Sequence, residues 1–154
     1  MKVREATPED HERLKELKLL SKQEEVEHSD TLRPLEETKH LYLKYLSKDL
    51  AHKERTILVA VEDSEIVGIV LAKIMHALPI SKHPRKGYIS NLYVVEGSRR
   101  KGIGTELARR ALDWLTDQEV HLVSLEIHEG NAAAQKLYRD LGFRNYTIKM
   151  TAQT

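Results

Sequence analysis

The stretch "YISNLYVVEGSRRKGIGTELARRALDWL", residues 88–115, decides how this chain is read. Its first eight residues are rich in β-branched and aromatic types and read as a strand. From near Gly104 onward, Leu107, Ala108, Ala111, Leu112 and Leu115 fall on one side of a helix and Glu106, Arg109, Arg110 and Asp113 on the other. Between strand and helix stand Arg99, Arg100, Lys101, Gly102, Ile103, Gly104 and Thr105. Glycines let backbone N–H groups approach an anion, and a helix N-terminus carries the positive end of its dipole, so strand, Arg-x-x-Gly-x-Gly and helix together suit an anion. The same residues also fit a plainer account, in which the glycines relieve crowding at a turn and the cations form a solvated edge.

Two familiar anions can be tested against the spacing. A mononucleotide loop needs a lysine after its second glycine; Gly97 and Gly102 have the interval, but Ile103 stands where the charge must be. A dinucleotide turn needs a third glycine three residues past Gly104, where Leu107 sits, and no acidic residue closes a following strand at the required distance. A pyrophosphate held by backbone amides and flanking guanidinium groups survives both tests.

Working outward, "MKVREAT" reads as a strand, and Thr7, Pro8 and Asp10 supply an N-cap, an N1 proline and a first-turn acid for a helix to about residue 21. Leu35, Tyr42, Tyr45, Leu46 and Leu50 place another, more exposed helix over residues 35–52. "TILVAVEDSEIVGIVLAKIM" reads as an antiparallel hairpin turning at "EDSE", and a proline-containing loop, "HALPISKHPRKG", leads into the opening stretch. "VHLVSLEIH" is a strand, "NAAAQKLYRDLGF" a short helix ending at Gly142, and "FRNYTIKM" a last strand. The expected class is α/β (α+β): a mixed, mostly antiparallel sheet with one parallel strand-helix-strand crossover. With no repeat, low-complexity tract or Gly/Ser linker, residues 1–154 are expected to form a single domain.

Composition narrows the chemistry. The chain has no cysteine, which removes disulfides, thiolate metal sites and an acyl-cysteine intermediate. Formal charge is only +1 although 32% of residues are charged, so positive charge is local and no nucleic-acid partner is expected. No apolar leader and no run approaching ~18 uncharged apolar residues is present, so a cytoplasmic chain with no membrane partner is expected. The eight histidines show no ligand spacing, and no metal is expected.

"YISNLYVVEGSRRKGIGTELARRALDWL" and "NAAAQKLYRDLGF" together resemble two signatures of the GNAT family of acetyl-CoA-dependent N-acetyltransferases, in the family's order and at about its separation. The former resembles the family's fourth strand, pyrophosphate loop and third helix; the latter is similar to its Asn-x-x-Ala-x-x-Leu-Tyr and Leu-Gly-Phe motif. The resemblance is clearest from Tyr88 to Phe143. It implies a sheet of six to seven strands flanked by about four helices, with two central strands splayed apart around the acetyl thioester. It implies that amides of Arg99, Arg100, Lys101, Gly102, Ile103, Gly104 and Thr105 cradle the coenzyme A pyrophosphate and that Val94 and Val95 pair with the pantetheine. It places Asn131 against the pantetheine arm and makes Tyr138 the general acid for the departing thiolate. The implied function is an N-acetyltransferase moving an acetyl group from acetyl-CoA to a primary amine by direct attack. The alternative is a non-catalytic acyl-CoA-binding or sensing module of the same fold.

Physical chemistry leaves particular positions open. Ala134, Leu137, Tyr138 and Leu141 form a helical stripe, so the Tyr138 ring also fits a core position; its apolar body and polar tip allow both roles. An amine with a pKa near ~10.4 must lose a proton before attack, yet Ser90 and Asn91 stand where many family members carry a carboxylate on the fourth strand. The nearest substitutes are Glu126 and His128, on the same strand face as Ser124, as a base acting through water; the same residues also fit a partly exposed carboxylate and an imidazole at a strand end, and without a base the enzyme would capture the small neutral fraction of amine. A small-molecule or peptide acceptor and a homodimer are both compatible with the family, and the acidic cluster "EEVEHSD" fits a cationic acceptor or a solvated face.

Overall fold

The computed structural model describes all 154 residues. Strands β1 (Lys2–Glu5), β2 (Arg55–Glu62), β3 (Glu65–His76), β4 (Arg85–Val94) and β5 (Val123–Ser124) form one sheet in that order. Successive strands pair antiparallel except β4 and β5, which run parallel. Helices α1 (His11–Glu27), α2 (Leu35–Ala51), α3 (Ile103–Asp117) and α4 (Ala132–Asp140) pack around the sheet. This is the mixed class expected.

The hairpin forms where its turn chemistry allows. Asp63 and Ser64, at φ 48 and 66, supply the two left-handed residues that let a tight turn match the twist of β2 and β3. The central strands are apolar on both sides, and each side builds a core. Leu58, Ala60, Val70 and Ile89 meet Leu107, Ala111 and Leu115 of α3. Ile57, Val59, Ile69 and Leu71 meet Leu14 and Leu17 of α1 and Leu46 of α2. The Asp10 carboxylate ties β1 to the start of α1: it accepts from Arg4 at 2.7 Å and from the Thr7 N–H at 2.8 Å. The guanidinium, first among these, holds Asp10 down at about 2.

Two expectations need correction. The helix expected to end near residue 21 runs to Glu27, because the part-buried Lys22–Glu25 pair (2.6 Å) and the exposed Gln23–Glu27 pair (3.0 Å) extend it past its apolar stripe. The sheet has five strands rather than six to seven. Residues 143–150 join no ladder, with Tyr146 91%, Ile148 84% and Met150 88% exposed. Alternation and β propensity describe a chain's readiness to pair, while a strand also needs an edge at the right height. Here that edge is short: β5 spans two residues instead of the nine of "VHLVSLEIH". Beyond it the alternation persists without a ladder, Leu125 and Ile127 half-buried and Glu126 and His128 exposed. No helix is long and apolar enough to cross a membrane.

Candidate active site

The site is built where β4 and β5 part. They touch only at Gly87 with Val123 and Tyr88 with Ser124. Gly87 allows this approach while α3 lies beneath it: a Cβ there would fall 2.7 Å from Leu115 Cδ1. Further along β4, Asn91 adopts φ 55 and the register against β3 shifts, so the strand bulges away from its partners. Parallel strands that lose their ladder leave a wedge with unpaired backbone on each wall.

The loop beyond β4 closes one end of the wedge. Arg100 (φ 60) and Gly102 (φ 80) are left-handed, and this turns successive N–H groups toward one side before α3 begins at Ile103. The N–H groups of residues 100–105 donate to no carbonyl or side chain of the protein. Six adjacent donors at the positive end of a fifteen-residue helix form a strong anion cradle. Gly104 lies where α3 meets α4; a Cβ there would be 3.3 Å from Leu137 Cδ1. Glu62 braces the loop from β2, accepting from Ser98 Oγ at 3.2 Å and Lys101 Nζ at 3.4 Å.

Several expected ligands have other engagements. The Arg99 guanidinium does not stand free beside the cradle: Nη2 pairs with Glu24 of α1 at 2.5 Å, Nε donates to the Val94 carbonyl at 2.7 Å, and the group lies 5.4 Å from the Tyr93 ring centroid. Glu24 raises the guanidinium's pKa further. The Val95 N–H is spent on Val67 of β3 at 2.9 Å, so Val94 and Val95 are not an unencumbered edge; by strand alternation the Val94 N–H points away from β3. Asn131 caps α4, its Oδ1 accepting the Ala134 N–H at 3.1 Å, which leaves its amide nitrogen for any other contact.

Tyr138 is 6% exposed, its ring edge-on to Phe143 at 5.4 Å between centroids. Burial pushes its phenol well above the ordinary tyrosine value, so it stays protonated at every physiological pH. Ser90 and Asn91 offer no carboxylate; Asn91 Nδ2 reaches Ser90 Oγ at 3.4 Å. The two candidate bases separate. Glu126 is exposed and close enough to Tyr88 to raise its phenol, after burial as the larger cause. His128 belongs to the turn before α4, where its carbonyl accepts from the Asn131 N–H at 2.9 Å.

Three residues that sequence reasoning passed over also belong here. Lys18 of α1 is only 5% exposed and lines, with Asp49 and Asn91, a space of about 10 Å³ behind the bulge. Burial first, then nearby Lys22, hold it at about 8. Its signal was the helical spacing of four from Leu14, which puts a lysine on the apolar side. Lys73 sits 5.1 Å over the Tyr88 ring, and Glu24 reaches Arg99 across 75 positions of sequence, a contact no local pattern announces.

The sequence profile of the acetyltransferase (GNAT) family matches residues 15–143. N-alpha-acetyltransferase 30 of Xenopus laevis is 40% identical over 86 residues, which span 55% of this chain and 30% of the frog protein. An N-alpha-acetyltransferase of Sulfurisphaera tokodaii is 28% identical over 109 residues, 68% of this chain and 65% of that one. The chain therefore matches less than two thirds of either relative. A predicted acetyltransferase from Clostridium acetobutylicum, crystallised with acetyl-CoA, shares the fold at TM-score 0.78 and 21% identity, over 99% of this chain and 95% of its own.

Proposed function

The chain belongs to the acetyltransferase (GNAT) family, and on that premise we propose that it transfers the acetyl group of acetyl-CoA to the free α-amine of a peptide. The observation that carries the donor half is the run of acceptor-less N–H groups over residues 100–105 at the start of α3. Those donors, with the unpaired Arg100 and nearby Lys101, fit a pyrophosphate in number and charge. In the reaction the amine nitrogen forms a bond to the thioester carbonyl carbon, the C–S bond breaks, and the departing sulfur takes a proton. Tyr138 is the proton source: it lies in α4, which packs on α3 beyond the amide cradle, is protonated, and makes no hydrogen bond within the protein through its side chain.

The acceptor half rests on proton economy. An α-amine with a pKa near ~8 is about one-tenth neutral at pH 7, whereas a lysine side chain near ~10.4 is neutral in fewer than about one molecule in a thousand. A site with Ser90 and Asn91 in place of a carboxylate suits the first nucleophile. Glu126, exposed beside Tyr88, is the residue that takes the amine proton through water. The N-alpha specificity in the names of the frog and archaeal relatives supports the same acceptor.

The test is coenzyme A release from acetyl-CoA with three acceptors: a free-N-terminus peptide, the same peptide N-blocked but carrying a lysine, and a polyamine. Release with the first alone is expected. Faster release with the blocked lysine peptide overturns the acceptor, and acetyl-CoA binding with release from no amine supports the sensing module instead. Thermal stabilisation by ATP or NAD but not by acetyl-CoA overturns the whole reading.

A further inference from the structure

From residue 66 to residue 95 the chain contains no Asp or Glu, yet it carries Lys73, His76, Lys82, His83, Arg85 and Lys86. The fold gathers this one-signed segment beside the site. The far ends of β3 and β4 enclose an open cavity of about 280 Å³ lined by Met75, His76, Ala77, Lys86, Tyr88 and Ser124. Its boundary at Tyr88 and Ser124 is the last β4–β5 rung, beyond which the wedge opens. Register puts Lys73 opposite Tyr88 and Met75 opposite Lys86, so these side chains share one face of the sheet. That face is the one covered by α1 and α2, because Ile69 and Leu71, in step with Lys73 and Met75, pack against Leu14, Leu17 and Leu46.

The charges around the cavity are sorted by position. His76 is paired with Glu54 at 2.8 Å, and Arg85 donates to the Gln118 carbonyl at 3.0 Å. Lys73, Lys82 and Lys86 have no carboxylate partner, and Lys73 is held only over the Tyr88 ring. The carboxylates facing Tyr88 are Glu126 and Glu25, and Glu25 is tied to Lys22 at 2.6 Å. Negative charge and Lys73 thus meet at Tyr88, at the wedge end where an ammonium must arrive, and the uncompensated charge of Lys86 lies farther along the groove.

We propose that this cavity receives the acceptor residues that follow the reactive amine and selects peptides with acidic side chains at their second to fourth positions. From Ser90 back to Tyr88 is about 7 Å along β4 and to Lys86 about 13 Å, at ~3.3 Å per residue. An extended peptide advances by the same increment, so its third residue comes level with Lys73, its second lies one step before it, and its fourth falls one step past it, between Lys73 and Lys86. Met75, Ala77 and the Tyr88 ring supply apolar floor for the stems of those side chains. The inference rests on the α-amine reading above and adds the class of peptide to it.

The experiment uses three peptides of one length and one N-terminal residue, with Glu, Gln or Lys at positions two to four, and measures kcat/KM by coenzyme A release at saturating acetyl-CoA. The Glu peptide is expected to exceed the Lys peptide by about tenfold at low salt, since one exposed ion pair is worth up to about fivefold, and the gap should narrow at ~0.5 M salt. In Lys73→Glu/Lys86→Glu the order should reverse; should that variant not fold, Lys86→Gln, a milder surface change, should halve the gap or better. Equal rates for the Glu and Lys peptides, or a lead for the Lys peptide, overturn this inference while leaving the acceptor reading intact. Release from none of the three overturns the acceptor reading, and this inference with it.

Discussion

Tyr138 and Lys18 are both buried ionisable groups, and burial acts on them in opposite senses. Desolvation favours the neutral form of each, which raises the phenol and lowers the amine. For Tyr138 the consequence is catalytic. Tyr138→Phe should lower kcat by about a hundredfold with little change in KM, the usual scale for loss of a positioned acid. The parent's rate should hold to about pH 10, because the acid does not ionise in the ordinary tyrosine range. A variant as fast as the parent at every pH shows that the ring only packs against Phe143. For Lys18 the consequence is stability. Its folded value of about 8 lies below the unfolded value near ~10.4, so folding expels a proton and stability rises with pH from about 8 to about 10.4, being lowest below 8. Lys18→Met, similar in length and uncharged, should therefore stabilise the fold by about 2 kcal/mol at pH 7 and by nothing above pH ~10.5. Urea unfolding at both pH values reads this directly; a less stable variant at pH 7 would show that Lys18 contributes a stabilising contact of its own.

Helix α3 does more for the site than any single side chain. Its N-terminal amides make the cradle, Gly102 at φ 80 aims them, and Leu107, Ala111 and Leu115 bind the helix to β2, β3 and β4. Gly102→Val forces a β-branched residue into the left-handed region, at a cost of about 1–3 kcal/mol of stability. It should also raise the KM for acetyl-CoA at least about tenfold, and isothermal titration should show the same loss in binding. Unchanged affinity would mean that the amides of the loop do not face the pyrophosphate. This element was legible in the sequence because every part of it is local: a strand, a turn that needs glycine, and an amphipathic run within 28 residues. The "EDSE" turn was legible for the same reason. The strand over residues 143–150 was misread because alternation says nothing about whether an edge is available. The Arg99 guanidinium was assigned to the anion because Glu24, its partner, lies 75 positions away.

The whole molecule is one sheet with a core on each face, and β2 and β3 belong to both. Neither face can lose its packing without exposing the back of strands the other needs, so unfolding should be a single transition by both circular dichroism and Trp114 fluorescence. Leu107→Ala, at a fully buried position, should cost about 3 kcal/mol and shift both signals together. Two separated transitions would show that the α1/α2 face and the α3 face fold independently. What the sequence determined by itself was whatever depends on neighbours along the chain: the class of fold, the order of elements, the anion loop before α3 and the family. What only the tertiary structure decided depends on residues far apart in the chain and close in space. The Glu24 bridge to Arg99, the burial of Lys18, the claim of Val67 on the Val95 N–H and the basic groove beyond Tyr88 are all of that kind. Desolvation and ion pairing are set by surroundings in three dimensions, and a one-dimensional pattern carries only the part of those surroundings that lies within a few turns of helix or rungs of strand.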